Sequence, residues 1–172
     1  LANFLTMLPA NLEYASLQRE LRPKDAAVLK TCAHIRAVGD DLVDFSDTAA
    51  VCELMDVVIG VDTSIVHLAG ALGRPVWVLL PFNPDWRWML ERADSPWYAS
   101  ARLYRQRCAR DWTPVFENLK ADLQRRWPMR QNCGPVAGRI AGKIDQKIDA
   151  PAANFLGGIA IALAAQIAEM IE

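Results

Sequence analysis

The segment at residues 57–81, VVIGVDTSIVHLAGALGRPVWVLLP, restricts the fold more than any other part of the chain. Val57–Val61 is an apolar run rich in β-branched residues, which is typical of a central parallel strand. Residues 64–72 have helical spacing and end at Gly73, and Val76–Leu80 is a second buried strand. A strand, a helix and a strand in this order predict a parallel sheet with helices on both faces.

The same alternation extends over residues 1–127, and the predicted fold class is α/β with a Rossmann-like sheet. Further strands are predicted at residues 13–17, 37–39 and 103–105, and helices at residues 23–32, 46–55 and 113–127. One or two helical turns are expected at residues 86–92. Ser46 or Asp47 is expected to cap the helix at residues 46–55.

Composition changes near residue 127. All six tryptophans lie in residues 1–127, whereas five of the nine glycines lie in residues 128–172. We therefore predict a partial nucleotide-sugar-binding domain at residues 1–127, and a linker with an apolar C-terminal helix at residues 128–172. That helix follows from the spacing of Phe155, Ile159 and Leu163. The stretch after Asp149 lacks charge, so a membrane span is an alternative, although proline and glycine interrupt it.

Charge and cysteine usage exclude several classes of protein. The 19 basic and 20 acidic residues give a formal net charge of −1, which provides no electrostatic footprint for nucleic acid or an anionic membrane. The four cysteines form no C-x-x-C pair and only two histidines accompany them, so we expect no metal site and reduced thiols. The first residues lack a basic signal-peptide region, and we expect a cytoplasmic protein.

The polar residues Asp62, Thr63 and Ser64 follow the strand Val57–Val61 and are the main candidate site. Ligands of parallel sheets bind beyond the carboxyl ends of the strands, and the N–H groups of a helix start suit a pyrophosphate. His67 shares a face with Thr63 and Ser64 and, if protonated, would offset phosphate charge. Asp62 would repel a pyrophosphate and better suits sugar hydroxyls. Ordinary helix capping and a structural histidine are the alternative interpretation.

The stretch VDTSIVHLAGALGRPVWVLL resembles the donor-site signature of glycosyltransferase family 9, the ADP-heptose:lipopolysaccharide heptosyltransferase group. That signature has D-[TS]-x-x-x-H at a helix start, then small residues, G-x-P and a strand. The longer stretch from DFSDTAAVCELMD to PFNPDWRWMLERADSPWYASARLYRQ is similar to a bacterial subgroup that joins tetratricopeptide repeats to the transferase domain. The resemblance covers roughly residues 1–127.

This resemblance implies the C-terminal, donor-binding half of a two-domain GT-B glycosyltransferase that uses a nucleotide-diphosphate sugar and no other cofactor. Asp62 would contact the donor sugar, Thr63 and Ser64 would bind phosphate through backbone amides, and His67 would stabilise the leaving diphosphate. The chain departs from the family at its start, because the opening V-G-L-V-W-x-G-x-P strand and the N-terminal acceptor domain with the general base are absent. We therefore expect an N-terminally truncated fragment with little or no turnover, and its acceptor is not identified.

Three further residues are weaker candidates for substrate contacts. Trp86 and Arg87 follow the strand Val76–Leu80 and would provide a ring for a base or sugar and a cation for phosphate. Gln18 follows the first strand and resembles the S-L-Q segment of the family. Burial in a small satellite core, or a solvated loop, explains these residues equally well.

Two other function classes remain as alternatives. The first alternative is a degenerate Rossmann-like module that binds a nucleotide or a partner protein without catalysis. The second alternative is an NAD-dependent dehydrogenase. The dehydrogenase is disfavoured because no G-x-G-x-x-G follows any predicted strand.

Overall fold

The computed structural model describes residues 2–19, 22–128 and 160–163, and it confirms the α/β class. Six parallel strands form one sheet: β1 Glu13–Ser16, β2 Ile35–Ala37, β3 Val57–Val61, β4 Val76–Leu80, β5 Ala101–Arg105 and β6 Ala160–Leu163. The described α-helices are α1 Ala2–Met7, α2 Pro23–Thr31, α3 Phe45–Leu54, α4 Ser64–Ala71 and α5 Thr113–Arg126. Short 3-10 helices lie at Gly39–Asp41 and Trp86–Trp88.

Strand β6 occupies the centre of the sheet, between β1 and β3. It pairs in parallel with all of β1 and with residues 57–59 of β3. The predicted helix is therefore wrong for Ala160–Leu163. Alanine and leucine favour helices locally, but backbone pairing on both sides of a central position overrides that preference. The other residues of the predicted second domain beyond Pro128, including the remainder of the proposed helix or membrane span, lie outside the described residues.

The strand order places a ligand-binding position at the end of β3. The sheet runs β2-β1-β6-β3-β4-β5, which equals the doubly wound order 3-2-1-4-5-6 when β6 is counted as the first strand. The order reverses between β6 and β3, and the crevice beyond such a reversal is where ligands bind in sheets of this kind. The residues that follow Val61 therefore start at this point.

Each face of the sheet packs against its own helices. Alternate residues of β3 point to opposite faces, so that Ile59 joins a core with α1 and α5 while Val58 joins a core with α3 and α4. Both side chains are completely buried. This three-layer packing fixes the amino end of α4 against the sheet. In the described part of the chain, no helix combines the length and apolarity that a bilayer crossing requires.

Helix α4 has a defined end at Gly73. Gly73 has a φ of 70°, and the N–H groups of Gly73 and Arg74 donate to the carbonyls of Gly70 and Ala69, each at 3.0 Å. These two bonds form a Schellman motif. The motif favours glycine at position 73, because the backbone of that residue is in the left-handed region. The predicted stop at Gly73 is confirmed.

Several predicted boundaries need correction. The second strand is Ile35–Ala37 rather than residues 37–39, because Gly39 starts a 3-10 helix. Helix α3 is capped by Asp44, not by Ser46 or Asp47. The Asp44 carboxylate accepts the N–H groups of Ser46 and Asp47 at 2.7 and 3.1 Å, and Asp47 in return accepts the N–H of Val43 at 2.9 Å.

Candidate functional site

The turn between β3 and α4 presents backbone donors at the carboxyl edge of the sheet. Thr63 precedes the helix in an extended conformation, with φ −139° and ψ 166°, and its side chain does not cap the helix. Its hydroxyl donates instead to the carbonyl of Val61 at 3.3 Å. The N–H groups of Val66 and His67 donate to the Thr63 carbonyl at 3.2 and 3.4 Å, so the unbonded donors of the first turn are those of Ser64 and Ile65. Among the described residues, these two N–H groups have no acceptor, and the residue Ser64 is exposed while Ile65 is half-buried.

The carboxylate of Asp62 is bound to His67. Its Oδ1 lies 3.0 Å from His67 Nε2, and its Oδ2 lies 3.9 Å from a guanidinium nitrogen of Arg87. The side chains of Asp62 and His67 are 24% and 29% exposed, so both remain accessible at the edge of the sheet. Asp62 is therefore a restrained hydrogen-bond acceptor, not a helix cap.

His67 is enclosed by aromatic side chains. Its Nδ1 lies 3.0 Å from the hydroxyl of Tyr98, so both ring nitrogens have partners. Trp88 is fully buried and stacks on the imidazole, with ring centroids 5.2 Å apart and an interplanar angle of 22°. The sequence placed His67 on one face with Thr63 and Ser64, whereas its hydrogen-bond partners in the structure are Asp62 and Tyr98. Tyr98 is 31 residues away, too distant in sequence to predict.

Arg87 and Trp86 lie in the 3-10 helix after β4. Arg87 pairs with Asp85 at 2.9 Å and is 48% exposed. Trp86 is 74% exposed and meets Trp97 edge-on, with centroids 6.5 Å apart. Trp86 is therefore not buried in a small satellite core, whereas the neighbouring Trp88 is fully buried.

A cleft of about 470 Å³ opens beside Asp62, on the β4 and β5 side of the site. Its lining residues are Asp62, Pro81, Phe82, Asn83, Asp85, Gln106, Ala109, Arg110 and Trp112. They combine apolar rings with carboxylates and amides, which is the chemistry that a polyhydroxylated ring requires. Asp62 is the one predicted site residue in this lining, so it joins the cleft to the start of α4.

Gln106 joins two loops at this edge and was not predicted from the sequence. The side-chain Oε1 of Gln106 accepts the backbone N–H of Phe82 at 3.0 Å. The backbone N–H of Gln106 donates to the carbonyl of Leu80, also at 3.0 Å. The side chain is 7% exposed. The signal that would have found Gln106 is its position directly after β5, at the same carboxyl edge as Asp62.

Gln18 follows β1 at the same edge, separated from β3 by strand β6. Its backbone carbonyl lies against Gly39, where an added Cβ would stand 2.0 Å from the Gln18 oxygen. Adjacent strands are about 4.8 Å apart, so Gln18 and Asp62 follow strands about 10 Å apart. The sheet therefore places Gln18 near the reversal point but does not bring it into the cleft beside Asp62.

The described residues contain no group of three or more histidine, cysteine, aspartate or glutamate side chains arranged for a metal ion. Within the acidic stretch at residues 40–47, the Asp44 and Asp47 carboxylates accept backbone N–H groups at the start of α3, and Thr48 donates its hydroxyl to the carbonyl of Asp44 at 3.0 Å. Asp44 and Asp47 therefore act at the start of this helix.

No protein-family model matches the chain, and no solved structure matches it. The chain is similar to Protein FlbA of Caulobacter vibrioides, with 33% identity over 87 residues. That match covers 50% of this chain and 14% of FlbA, so it spans a small part of the relative.

Proposed function

We propose that this chain is the donor-binding part of a glycosyltransferase, in which the amino end of α4 holds the diphosphate of a nucleotide sugar. The observation that carries the proposal is the uncapped start of α4 beside Asp62. The N–H groups of Ser64 and Ile65, which have no acceptor among the described residues, and the positive end of the helix dipole favour a diphosphate over a neutral ligand. The matching strand order provides further support, because it puts these groups at the reversal point of the sheet.

The sugar of the donor is assigned to the cleft that begins at Asp62. The cleft has two carboxylates, of Asp62 and Asp85, and the amide of Asn83, which are suited to sugar hydroxyls. Arg110 also lines the cleft, and Arg87 pairs with Asp85, so the charge of the carboxylates is offset in part. Phe82 and Trp112 supply apolar surface for the C–H face of a sugar ring.

In the proposed reaction, the acceptor hydroxyl attacks the anomeric carbon as the diphosphate departs. The N–H groups of Ser64 and Ile65 stabilise the charge that develops on the diphosphate. His67 contributes through its bond to Asp62, and its ring reaches the diphosphate only after that bond is exchanged. The general base belongs to an acceptor domain outside this chain, and we expect negligible turnover from these residues alone.

A proline variant at Ser64 tests the phosphate site. Proline is compatible with the first helical position, and the extended Thr63 before it accepts a following proline. Ser64→Pro removes the N–H and the hydroxyl, whereas Ser64→Ala removes the hydroxyl alone. We expect titration calorimetry with UDP, ADP and GDP to show binding of at least one, weakened about 10-fold or more in Ser64→Pro relative to Ser64→Ala, because a charge-assisted hydrogen bond contributes about 1.5–3 kcal/mol.

Equal affinities in the two Ser64 variants would remove the phosphate site from the proposal. A nucleoside without phosphates serves as the control ligand, because its binding does not depend on the Ser64 N–H. Asp62→Asn tests the sugar site separately: we expect weaker binding of the nucleotide sugar and no weakening for the nucleoside diphosphate.

A non-enzymatic interaction module is the second candidate, favoured by the exposed apolar side chains of the loop after β4. Trp86, Leu90 and Trp97 are 74%, 70% and 57% exposed within this one loop. Exposed apolar surface of this kind is common at protein interfaces. The absence of nucleotide binding by the wild-type chain would favour this function over the first.

A further inference from the structure

Tyr98, Asp62 and His67 form a continuous hydrogen-bonded series across the site. The Tyr98 hydroxyl lies 3.0 Å from His67 Nδ1, and Asp62 Oδ1 lies 3.0 Å from His67 Nε2. Tyr98 is not part of the cleft lining, so it has no direct route to a ligand there. Any influence of Tyr98 on that ligand passes through His67.

The two partners determine which imidazole nitrogen carries the proton. The Asp62 carboxylate only accepts hydrogen bonds, so His67 Nε2 must donate to it. In the neutral ring, Nδ1 is then the acceptor, and the Tyr98 hydroxyl donates to it. The geometry therefore specifies one of the two neutral tautomers of His67.

Tyr98 itself is fixed by close packing on α4. A Cβ added at Gly70 would stand 2.6 Å from Cγ of Tyr98, closer than such atoms can approach. The absence of a side chain at Gly70 thus lets the Tyr98 ring lie on the helix that carries His67. Trp88 stacks on His67 and lies 6.4 Å from the Tyr98 ring, measured between centroids.

We propose that Tyr98 is a positioning residue that fixes the ring orientation of His67, and thereby holds the Asp62 carboxylate at the edge of the cleft. The assignment of a sugar ligand to Asp62 rests on the proposed function. The alternative partner for Asp62 is Arg87, whose guanidinium is 3.9 Å away and currently pairs with Asp85 at 2.9 Å. When the Tyr98 hydroxyl is removed, the neutral ring has no fixed donor at Nδ1, and Asp62 is more easily drawn towards Arg87.

Tyr98→Phe tests this role in the full 172-residue chain. The chain has two histidines, so the imidazole ¹⁵N spectrum contains few signals. Above about pH 8, where free imidazole side chains are neutral, we expect the wild type to show His67 as the Nε2–H tautomer. In Tyr98→Phe we expect the Nδ1 signal to shift towards that of an unbonded nitrogen, because only the partner of Nδ1 is removed.

Tyr14→Phe is the matched control, because it also removes a bonded hydroxyl. The Tyr14 hydroxyl donates to the Pro9 carbonyl at 3.0 Å, and its ring meets His34 edge-on. This control is expected to change the signals of His34 and leave those of His67 unchanged. Gly70→Ala is a second variant that keeps the hydroxyl but displaces the ring, and we expect it to reproduce the Tyr98→Phe spectrum.

Ligand titration separates this inference from the proposed function. For a donor nucleotide sugar, we expect Tyr98→Phe to weaken binding about 3- to 10-fold, with the affinity for the nucleoside diphosphate unchanged. An unchanged His67 spectrum in both Tyr98→Phe and Gly70→Ala would overturn the positioning role. If the wild type binds no nucleotide sugar, the proposed function fails, while a shifted Nδ1 signal in Tyr98→Phe and Gly70→Ala still supports the positioning of His67.

Discussion

Truncation of Trp88 should destabilise the protein far more than truncation of Trp86, although the two residues share one 3-10 helix. Trp88 is completely buried beneath His67, whereas Trp86 is 74% exposed. Replacing a buried tryptophan by alanine exposes or empties roughly 150 Å² of apolar contact, which at about 25 cal/mol per Å² corresponds to about 4 kcal/mol. This figure agrees with the usual cost of about 3–5 kcal/mol for such a change.

One feature reduces the expected loss. Trp88 Nε1 is buried without a hydrogen-bond partner among the described residues, and such a donor costs about 1–3 kcal/mol. Because Trp88→Ala removes that donor, we expect a net loss of about 1–3 kcal/mol in the free energy of unfolding. Trp86→Ala should change it by no more than about 0.5 kcal/mol.

Urea denaturation followed by far-UV circular dichroism measures the difference without relying on tryptophan fluorescence. With a slope of about 2 kcal/mol per molar urea, Trp88→Ala should lower the midpoint by about 0.5–1.5 M. The reasoning would be refuted if Trp88→Ala changed the unfolding free energy by less than about 1 kcal/mol, or if the two variants were equally destabilised.

Three further predictions concern the scaffold. Gly39→Ala places a Cβ 2.0 Å from the Gln18 carbonyl oxygen, a backbone atom with little freedom to move, and should cost about 3 kcal/mol in urea denaturation; a loss below about 1 kcal/mol would contradict the close approach. Burial raises the pKa of the Cys52 thiol from 9.0 to about 11. The protonated thiol therefore contributes fully to the free energy of unfolding below pH 9.0, and this contribution is lost as the pH rises through 11. Between those values Cys52→Ala should show a smaller decline in unfolding free energy than the wild type, and equal slopes would be inconsistent with the buried thiol. Ala162→Pro removes a backbone N–H donor from the central strand β6 and should lower the free energy of unfolding by at least about 1–3 kcal/mol in thermal or urea unfolding. Ala160→Pro, at the first residue of that strand, should lower it less. Equal stabilities of the two variants would count against the central position of β6.

The sequence was most informative where local pattern and tertiary structure agree. Val57–Val61 and Val76–Leu80 were predicted with their observed bounds, because β-branched and aromatic runs between turn residues suit a strand that is buried on both faces. Gly73 marked the end of α4 because its left-handed backbone has a specific local requirement.

Long-range pairing accounts for what the sequence did not reveal. Ala160–Leu163 is far in sequence from both strands that it joins, and its composition favours a helix. Short helix α1 also lacks the length and capping signals that permit prediction.

In the candidate site, the sequence placed Asp62, Ser64 and His67 together because they belong to one turn and one helix. It missed Tyr98, which lies 31 residues from His67 and reaches it only because Gly70 has no side chain. The sequence also could not show whether Thr63 caps α4. In the structure its hydroxyl donates to the carbonyl of Val61 and does not cap the helix.

The most direct test of the account follows the backbone amides of Ser64 and Ile65 by ¹H–¹⁵N NMR during titration with a nucleoside diphosphate. Hydrogen bonding to phosphate oxygens should move both amide protons downfield with a common saturation curve, and Ser64→Ala should preserve the response. A diphosphate site at the start of α4 would be contradicted if the signals of these two amides remained unchanged during the titration. This holds whether or not the nucleotide shifts signals elsewhere in the chain.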